Sequence, residues 1–261
     1  MGAREITMND MHEANRRSWD AVSPKWQAKI DTEKPWRQVP VNPALVLEKE
    51  ELRHLGDVAG KNVCVLGSGD NLIVFALAGM GADVTSVDVS QTQLDIAAGR
   101  ARELGLAVTF LRADVTDLSA LPTDRFDLVY TGGHVAVWIS DLKTYYREAV
   151  RILQPEGLFM VTEYHPFRRI WEERPDCLQV EMAYFEQGPF QYDRSEDVPG
   201  AKPGSYPSYE FHWTVSDYAM AVIEAGCDLL ALEEFGTSVE WEVTPLAGLP
   251  HLLMIVGRKS D

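Results

Sequence analysis

At 261 residues, with 46% apolar and 25% charged side chains, the chain is long enough to bury a sizeable core without disulfide staples. Its formal charge of −16, with no basic cluster larger than an adjacent pair such as Arg168-Arg169, disfavours a nucleic-acid-binding surface, whose affinity rests on grouped Lys and Arg. The three cysteines, Cys64, Cys177 and Cys227, are too scattered for a disulfide framework or a CxxC zinc site and point to a reducing cytoplasm.

The first ten residues carry charge early and have no apolar stretch, so no signal peptide is expected. No apolar run approaches the roughly 20 residues of a membrane span. Residues 10–33 carry Trp19, Val22 and Trp26 at three- and four-residue spacing, which predicts an amphipathic helix broken at Pro24. Pro35, Pro40 and Pro43 mark a loop. A second helix is predicted over 44–55, with Leu45, Leu52 and Leu55 inward and Gly56 and Gly60 as its stop.

From residue 62 a regular alternation begins. Strands are predicted at 62–66, 83–87, 107–111, 126–130 and 158–163, with helices at 71–80, 90–104 and 142–153 between them. Ser90 is the cap of its helix and Gly105 the stop. Such alternation builds a parallel sheet with helices on both faces, and ligands bind such sheets at the carboxyl ends of the strands. Between 165 and 213 the rhythm breaks into a segment dense in aromatics, among them Phe167, Trp171, Tyr184, Phe190, Tyr192, Tyr209 and Trp213. A loop this long is often a lid or binding loop. It either covers a flat, apolar acceptor or packs as a small β extension or homodimer interface. A helix at 216–225 and strands at 228–235 and 252–256 complete the chain.

The run Val63-Cys64-Val65-Leu66-Gly67-Ser68-Gly69-Asp70-Asn71 joins a buried strand to a helix through a glycine turn. Gly67 and Gly69 allow the backbone to approach a ligand, and the free amides opening the helix attract a polar or anionic group. Asp88 ends the second strand, about 20 residues after the glycines, the spacing of a carboxylate that accepts from ribose hydroxyls. It also suits the N-terminus of the following helix. Asp114 follows the third strand on the same rim and can accept from an adenine amino group, with Val89 and Val115 flanking the base.

In this order, Gly67-Ser68-Gly69, Asp88, Asp114, Phe126-Asp127-Leu128-Val129 and Arg151-Ile152-Leu153-Gln154-Pro155-Glu156-Gly157 resemble the class I S-adenosylmethionine-dependent methyltransferases, small-molecule type, near the quinone-biosynthesis enzymes. The resemblance is strong over 61–164 and weaker over 216–259. It implies a Rossmann-like, doubly wound seven-stranded α/β sheet with an antiparallel last strand at 252–256. An N-terminal helical cap would occupy 1–60 and the methyltransferase domain 61–261, with 165–213 as a substrate-covering insert. It implies S-adenosylmethionine as cofactor and S-adenosylhomocysteine as product. Gly67, Ser68 and Gly69 would then lie along the methionine, Asp88 on the ribose diol and Asp114 on the adenine. Thr131 and Gly132 would border the sulfonium. The sequence departs from the family at Val65, where a carboxylate is usual, and at Asn71, where a third glycine is usual. Asp70 is the nearest substitute for that carboxylate.

Acceptor-side groups must come from the ends of the fourth and fifth strands, where His134, Tyr164 and His165 stand. His134 is read either as a general base or as a structural imidazole, and Glu163 as a strand-end residue without catalytic duty. Trp19 and Trp138 are read as covering the cofactor or as core. No metal site is expected, because the six histidines lack ligand spacing. Two rivals share the glycine turn. One is a nicotinamide-dependent oxidoreductase, which expects a third glycine where Ile73-Val74 stand. The other is a non-catalytic nucleoside-binding module.

Overall fold

A strand buried on both faces needs apolar side chains at successive positions, and β1 (Asn62–Leu66) buries Val63, Cys64, Val65 and Leu66 in a row. The computed structural model describes residues 7–33, 36–171, 179–236 and 247–260. β1 pairs in parallel with β2 (Asp83–Asp88) on one side and β4 (Phe126–Gly132) on the other. β3 (Val108–Arg112) joins β2, and β5 (Leu153–Tyr164) joins β4, both in parallel. β9 (Leu252–Lys259) then enters antiparallel between β5 and β8 (Cys227–Phe235). Among the described residues the sheet has seven strands in the order β3-β2-β1-β4-β5-β9-β8. The strand order reverses at β1 and β4, which puts the ligand crevice beyond their carboxyl ends.

Alternate side chains of β1 feed two apolar layers. Cys64 and Leu66 pack with α5 (Leu142–Ile152) and α6 (Val215–Glu224). Val63 and Val65 pack with α3 (Leu72–Gly79), α4 (Gln91–Leu104) and α2 (Lys49–Leu55). Ser90 caps α4 by accepting from the Gln93 amide, and Gly105 ends it in the left-handed region at φ 68°.

The expected break at Pro24 is not found. α1 (Met8–Glu33) runs straight through that proline as one helix of 26 residues. Contacts on both sides of Pro24 override its local penalty. Asp20 accepts from the Ser90 hydroxyl at 2.8 Å and the Thr92 amide at 3.2 Å, while Gln27 is bonded to Gln93 and Arg100. Nor is 44–55 a single helix. Pro43–Leu45 is a 3-10 turn, and α2 starts only at Lys49, where the Glu51 side chain accepts from the Glu48 amide at 2.8 Å. β5 begins at Leu153, directly after α5. Its register with β4 jumps from Phe126↔Leu153 to Leu128↔Leu158, so the Pro155-Glu156-Gly157 turn is a bulge inside the strand.

The aromatic excursion contains a hairpin of β6 (Phe190–Asp193) and β7 (Pro207–Glu210). Tyr209 and Phe211 bury themselves against Met11 and Ala14 of α1. Asn15 clamps β7: it accepts from the Tyr209 amide at 2.7 Å and donates to the Tyr209 carbonyl at 2.9 Å. Among the described residues no helix is long and apolar enough to cross a membrane.

Candidate active site

The glycine turn uses its two glycines for different ends. Gly67, at φ 61°, leaves room for the protein itself, since a Cβ there would lie 2.4 Å from the Val135 side chain. Gly69, at φ 49°, is the one that opens outward: its Cβ would meet only the Gly67 carbonyl at 3.8 Å. The Gly69 amide donates to Asp88 Oδ2 at 2.8 Å and the Ser90 amide to Asp88 Oδ1 at 2.8 Å. Asp88 therefore fastens the turn after β1 to the start of α4, and each carboxylate oxygen retains lone pairs for a further donor. Burial pushes the Asp88 carboxyl up to about 6, against the pull of the Ser90 and Gly69 amides.

Asn71 stands at φ 62°, fully buried. After glycine, asparagine is among the residues that enter the left-handed region most readily, so it fills the place of a glycine at low strain. Its side chain adds two bonds: Nδ2 donates to the Gly69 carbonyl and Oδ1 accepts from the Ser86 hydroxyl, both at 2.8 Å. Asp70 Oδ1 accepts from the Leu72 amide at 3.1 Å and closes the first turn of α3. Asn71→Ala is expected to lower stability by about 2–4 kcal/mol, combining left-handed strain with two lost buried bonds. Asn71→Gly relieves the strain and should lose only about 1–2 kcal/mol. Urea unfolding of the two variants checks this, and equal losses would remove the argument.

On the rim above β3, Asp114 is held by a residue absent from the sequence reading. His12 Nδ1 lies 2.7 Å from Asp114 Oδ2, while Asp114 Oδ1 accepts from the Thr116 amide and hydroxyl. Burial pushes the Asp114 carboxyl upward, but His12 and Thr116 outweigh it and hold it below the usual carboxylate value. His12 Nε2 accepts from the Ser140 amide at 3.1 Å, so the other nitrogen carries the proton toward Asp114. Asn15 reaches the Trp138 carbonyl at 3.1 Å, and Gln27 the Gly69 carbonyl at 3.5 Å. Helix α1 thus touches the loops after β1, β2, β3 and β4 and spans the crevice mouth. Nothing local in the sequence marks these partners, which lie 42 to 123 residues away.

Val115 is buried within the α5-side layer and Val89 is half-buried beside Asp88. The Thr131 side chain is turned into the core, bonded to the Tyr145 hydroxyl, and the residue is fully buried in the ladder between β1 and β5. Val65 sits in an apolar layer that also receives a carboxylate from elsewhere. Tyr130 donates to Glu51 of α2 at 2.6 Å, and a Cβ on Gly132 would come within 2.8 Å of the Tyr130 hydroxyl.

The loop after β4 is shaped by Glu163, which is 2% exposed. Its carboxylate accepts from the amides of His134, Val135 and Ala136 at 3.0, 3.1 and 2.9 Å. Burial raises its pKa and these amides pull the other way. His134 is held at φ 88°, with its ring stacked near Trp138 at 5.9 Å and edge-on to Tyr164 at 5.0 Å. His134 Nε2 accepts from Arg169 Nη2 at 2.9 Å. Burial, then the positive field of Arg169, Arg168, His212 and Arg194, pushes the imidazole well below its ordinary pKa. It is a neutral ring with one nitrogen taken, which makes it a weak base and a good positioning group.

His165 lies away from this cluster in its bonding. It is fully buried, Nδ1 accepts from the Phe167 amide at 3.2 Å, and Nε2 lies 2.6 Å from Glu234 of β8. Nδ1 caps the turn that follows β5 and Nε2 joins it to β8, so both nitrogens are committed. Trp19 and Trp138 meet edge to face at 5.4 Å, but a cation already sits by Trp19: the Arg194 guanidinium is 4.5 Å from its ring centroid.

Residues 64–161 match the family described as Methyltransferase domain. A ubiquinone biosynthesis O-methyltransferase of Proteus mirabilis is 24% identical over 62% of this chain and 63% of its own length, so the chain spans under two thirds of that relative. An S-adenosylmethionine-dependent methyltransferase from Mesorhizobium loti superposes with a TM-score of 0.61 and 25% identity, covering 81% of this chain and 97% of that one. A 1,6-didemethyltoxoflavin N1-methyltransferase from Burkholderia thailandensis, solved with its acceptor and S-adenosylhomocysteine, shares the fold at a TM-score of 0.60 and 17% identity, covering 100% and 94%.

Proposed function

We infer, from the premise that the chain belongs to the class I S-adenosylmethionine-dependent methyltransferases, that it transfers a methyl group to a small-molecule acceptor. The observation that carries this reading is Asp88, a buried carboxylate tied to the Gly69 and Ser90 amides with acceptor capacity left on both oxygens. That arrangement suits a ribose diol. The main chain of Gly67, Ser68 and Gly69 would hold the methionine. Asp114 would take the adenine amino group beside Val89 and Val115, and the backbone of Thr131 and Gly132 would border the sulfonium.

S-adenosylmethionine supplies a methyl already activated on sulfur. What the chain contributes is placement of the acceptor and exclusion of water. α1 closes the rim from Asp114 to Gly69. His134 and Tyr164 are assigned to the acceptor side, His134 as a neutral orienting ring, and His165 to the framework. Buried thiols at Cys64 and Cys227 support a reducing, cytoplasmic setting. The 165–213 excursion, whose hairpin packs on α1, is assigned as the acceptor cover.

Calorimetric titration with S-adenosylhomocysteine, with NADH as control, tests the cofactor assignment. Binding of the first alone is expected, and binding of NADH alone overturns it. Incubation of phenols, amines and thiols with methyl-labelled cofactor then reads out the acceptor. Absence of transfer to every member, with cofactor bound, would favour a non-catalytic binding module.

A further inference from the structure

Arginines and aromatic rings alternate along one stretch of the acceptor side. Arg169 joins His134, as above, and reaches Glu210 at 3.2 Å. His134 leads to Trp138, and Trp138 to Trp19. Arg194 lies beside both indoles, 4.5 Å and 5.9 Å from the ring centroids of Trp19 and Trp138. The Arg168 guanidinium lies over Tyr164 at 4.2 Å. In a chain with 40 Asp and Glu against 24 Lys and Arg, this local concentration of positive charge runs against the overall balance.

Arg194 is the informative member. Its side chain is only 19% exposed, and burial presses its pKa down. Its carboxylate contact among the described residues is Asp197, at 3.6 Å from Nε, and Asp197 is shared with Lys25 at 2.9 Å. No hydrogen bond of 3.5 Å or less occupies its Nη groups among the described residues. A half-buried guanidinium carries five donors, and leaving them unmet is unfavourable. Glu210 is likewise shared, between Arg169 and His212, and Glu163 is committed to three backbone amides. The acidic groups facing this wall are already shared, and Arg194 meets Asp197 through Nε alone, which leaves its Nη groups for a ligand.

We propose that Arg194 receives the carboxylate of an aromatic acceptor whose ring packs on the Trp138–His134 face. The inference rests on the methyltransferase reading and deepens it, naming the acceptor class as an aromatic acid rather than a neutral phenol. Guanidinium matches a carboxylate with two parallel bonds, and the indole faces match a planar ring.

The test uses the full chain saturated with S-adenosylhomocysteine. The three hydroxybenzoate isomers and the matching hydroxybenzamides are titrated by quenching of tryptophan fluorescence. At least one hydroxybenzoate is expected to bind about 10- to 100-fold more tightly than its amide, the range of one charge-assisted pair. Arg194→Gln should abolish that preference and Arg194→Lys retain part of it, with affinity for S-adenosylhomocysteine unchanged in both. Equal binding of acids and amides, or no binding of either to the loaded chain, overturns the proposal. So does a parallel loss of S-adenosylhomocysteine affinity in Arg194→Gln, which would assign the arginine to the methionine carboxylate instead. If S-adenosylhomocysteine itself fails to bind the wild-type chain, the cofactor reading falls first, and titration of the unloaded chain still decides the acid preference.

Discussion

Asp88→Asn is expected to weaken S-adenosylhomocysteine binding by about 100-fold or more while leaving the thermal midpoint nearly unchanged. The substituted amide keeps one acceptor oxygen, so it cannot satisfy both the Gly69 and Ser90 amides and a diol besides. Affinity falls because charge-assisted bonds to the ligand are replaced by a single neutral one, at about 1.5–3 kcal/mol for each bond lost. Stability is set by opposing effects of similar size. Raising the Asp88 pKa from 3.8 to about 6 means that the ionised folded form is disfavoured by roughly 3 kcal/mol at neutral pH. Removing that charge offsets the one backbone amide left unmet, which is worth about 1–3 kcal/mol. Calorimetry beside a melting curve separates the two effects. Unchanged affinity, or a collapse of both together, rules out the assignment of Asp88 to the ligand.

The same carboxyl sets a pH dependence. An acid whose folded pKa is raised stabilises the fold below its unfolded value, and that contribution is lost as pH rises through about 6. Ligand hydroxyls favour the ionised form, so binding lowers the Asp88 pKa and releases a proton below pH 6. Affinity for S-adenosylhomocysteine should therefore be flat above about 7 and fall by up to tenfold per pH unit below 6. The slope should vanish in Asp88→Asn. A wild-type profile that rises toward acid would reverse the sign and remove Asp88 from the site.

The parallel strands were legible because short β-type stretches, most plainly the apolar run of β1, alternate with helical patterns closed by Gly81 and Gly105, whereas the antiparallel last strand was implied by the family resemblance. Asp88 was legible for the same reason, standing where one such stretch ends. What escaped was set by contacts distant in sequence. α1 survives Pro24 because Asp20 and Gln27 are bound by α4, 70 or so residues on. His12, which fixes Asp114 across 102 residues, carries no local signal at all. Gly67 reads like a ligand glycine, and only the fold shows that it also makes room for Val135. His165 reads like a site residue because it follows β5, yet both its nitrogens are used by the framework. Glu163 reads like an ordinary strand end, and only the fold shows three amides converging on it.

That convergence carries the second large effect. Glu163→Ala is expected to lower stability by about 3 kcal/mol, roughly 6–12 °C in melting temperature for a chain of this size, and to release the loop after β4. Three buried amides lose their acceptor at once, and His134 loses the bond that holds its backbone at φ 88°. Val135 is then free to leave Gly67, and the ring of His134 to leave Arg169 and Trp138, so acceptor placement should fail with the loop. Because alanine can simply unfold the chain, Glu163→Gln is the sharper variant. Its oxygen can keep the Val135 and Ala136 amides, both on Oε1, while its NH2 faces the His134 amide and cannot accept from it. Gln should therefore fold, lose about 1–2 kcal/mol, and show fast amide exchange at His134 with protection kept at Val135 and Ala136. Uniform protection across the loop in Glu163→Gln would mean that the carboxylate does not shape it, and the placement of His134 would need another cause.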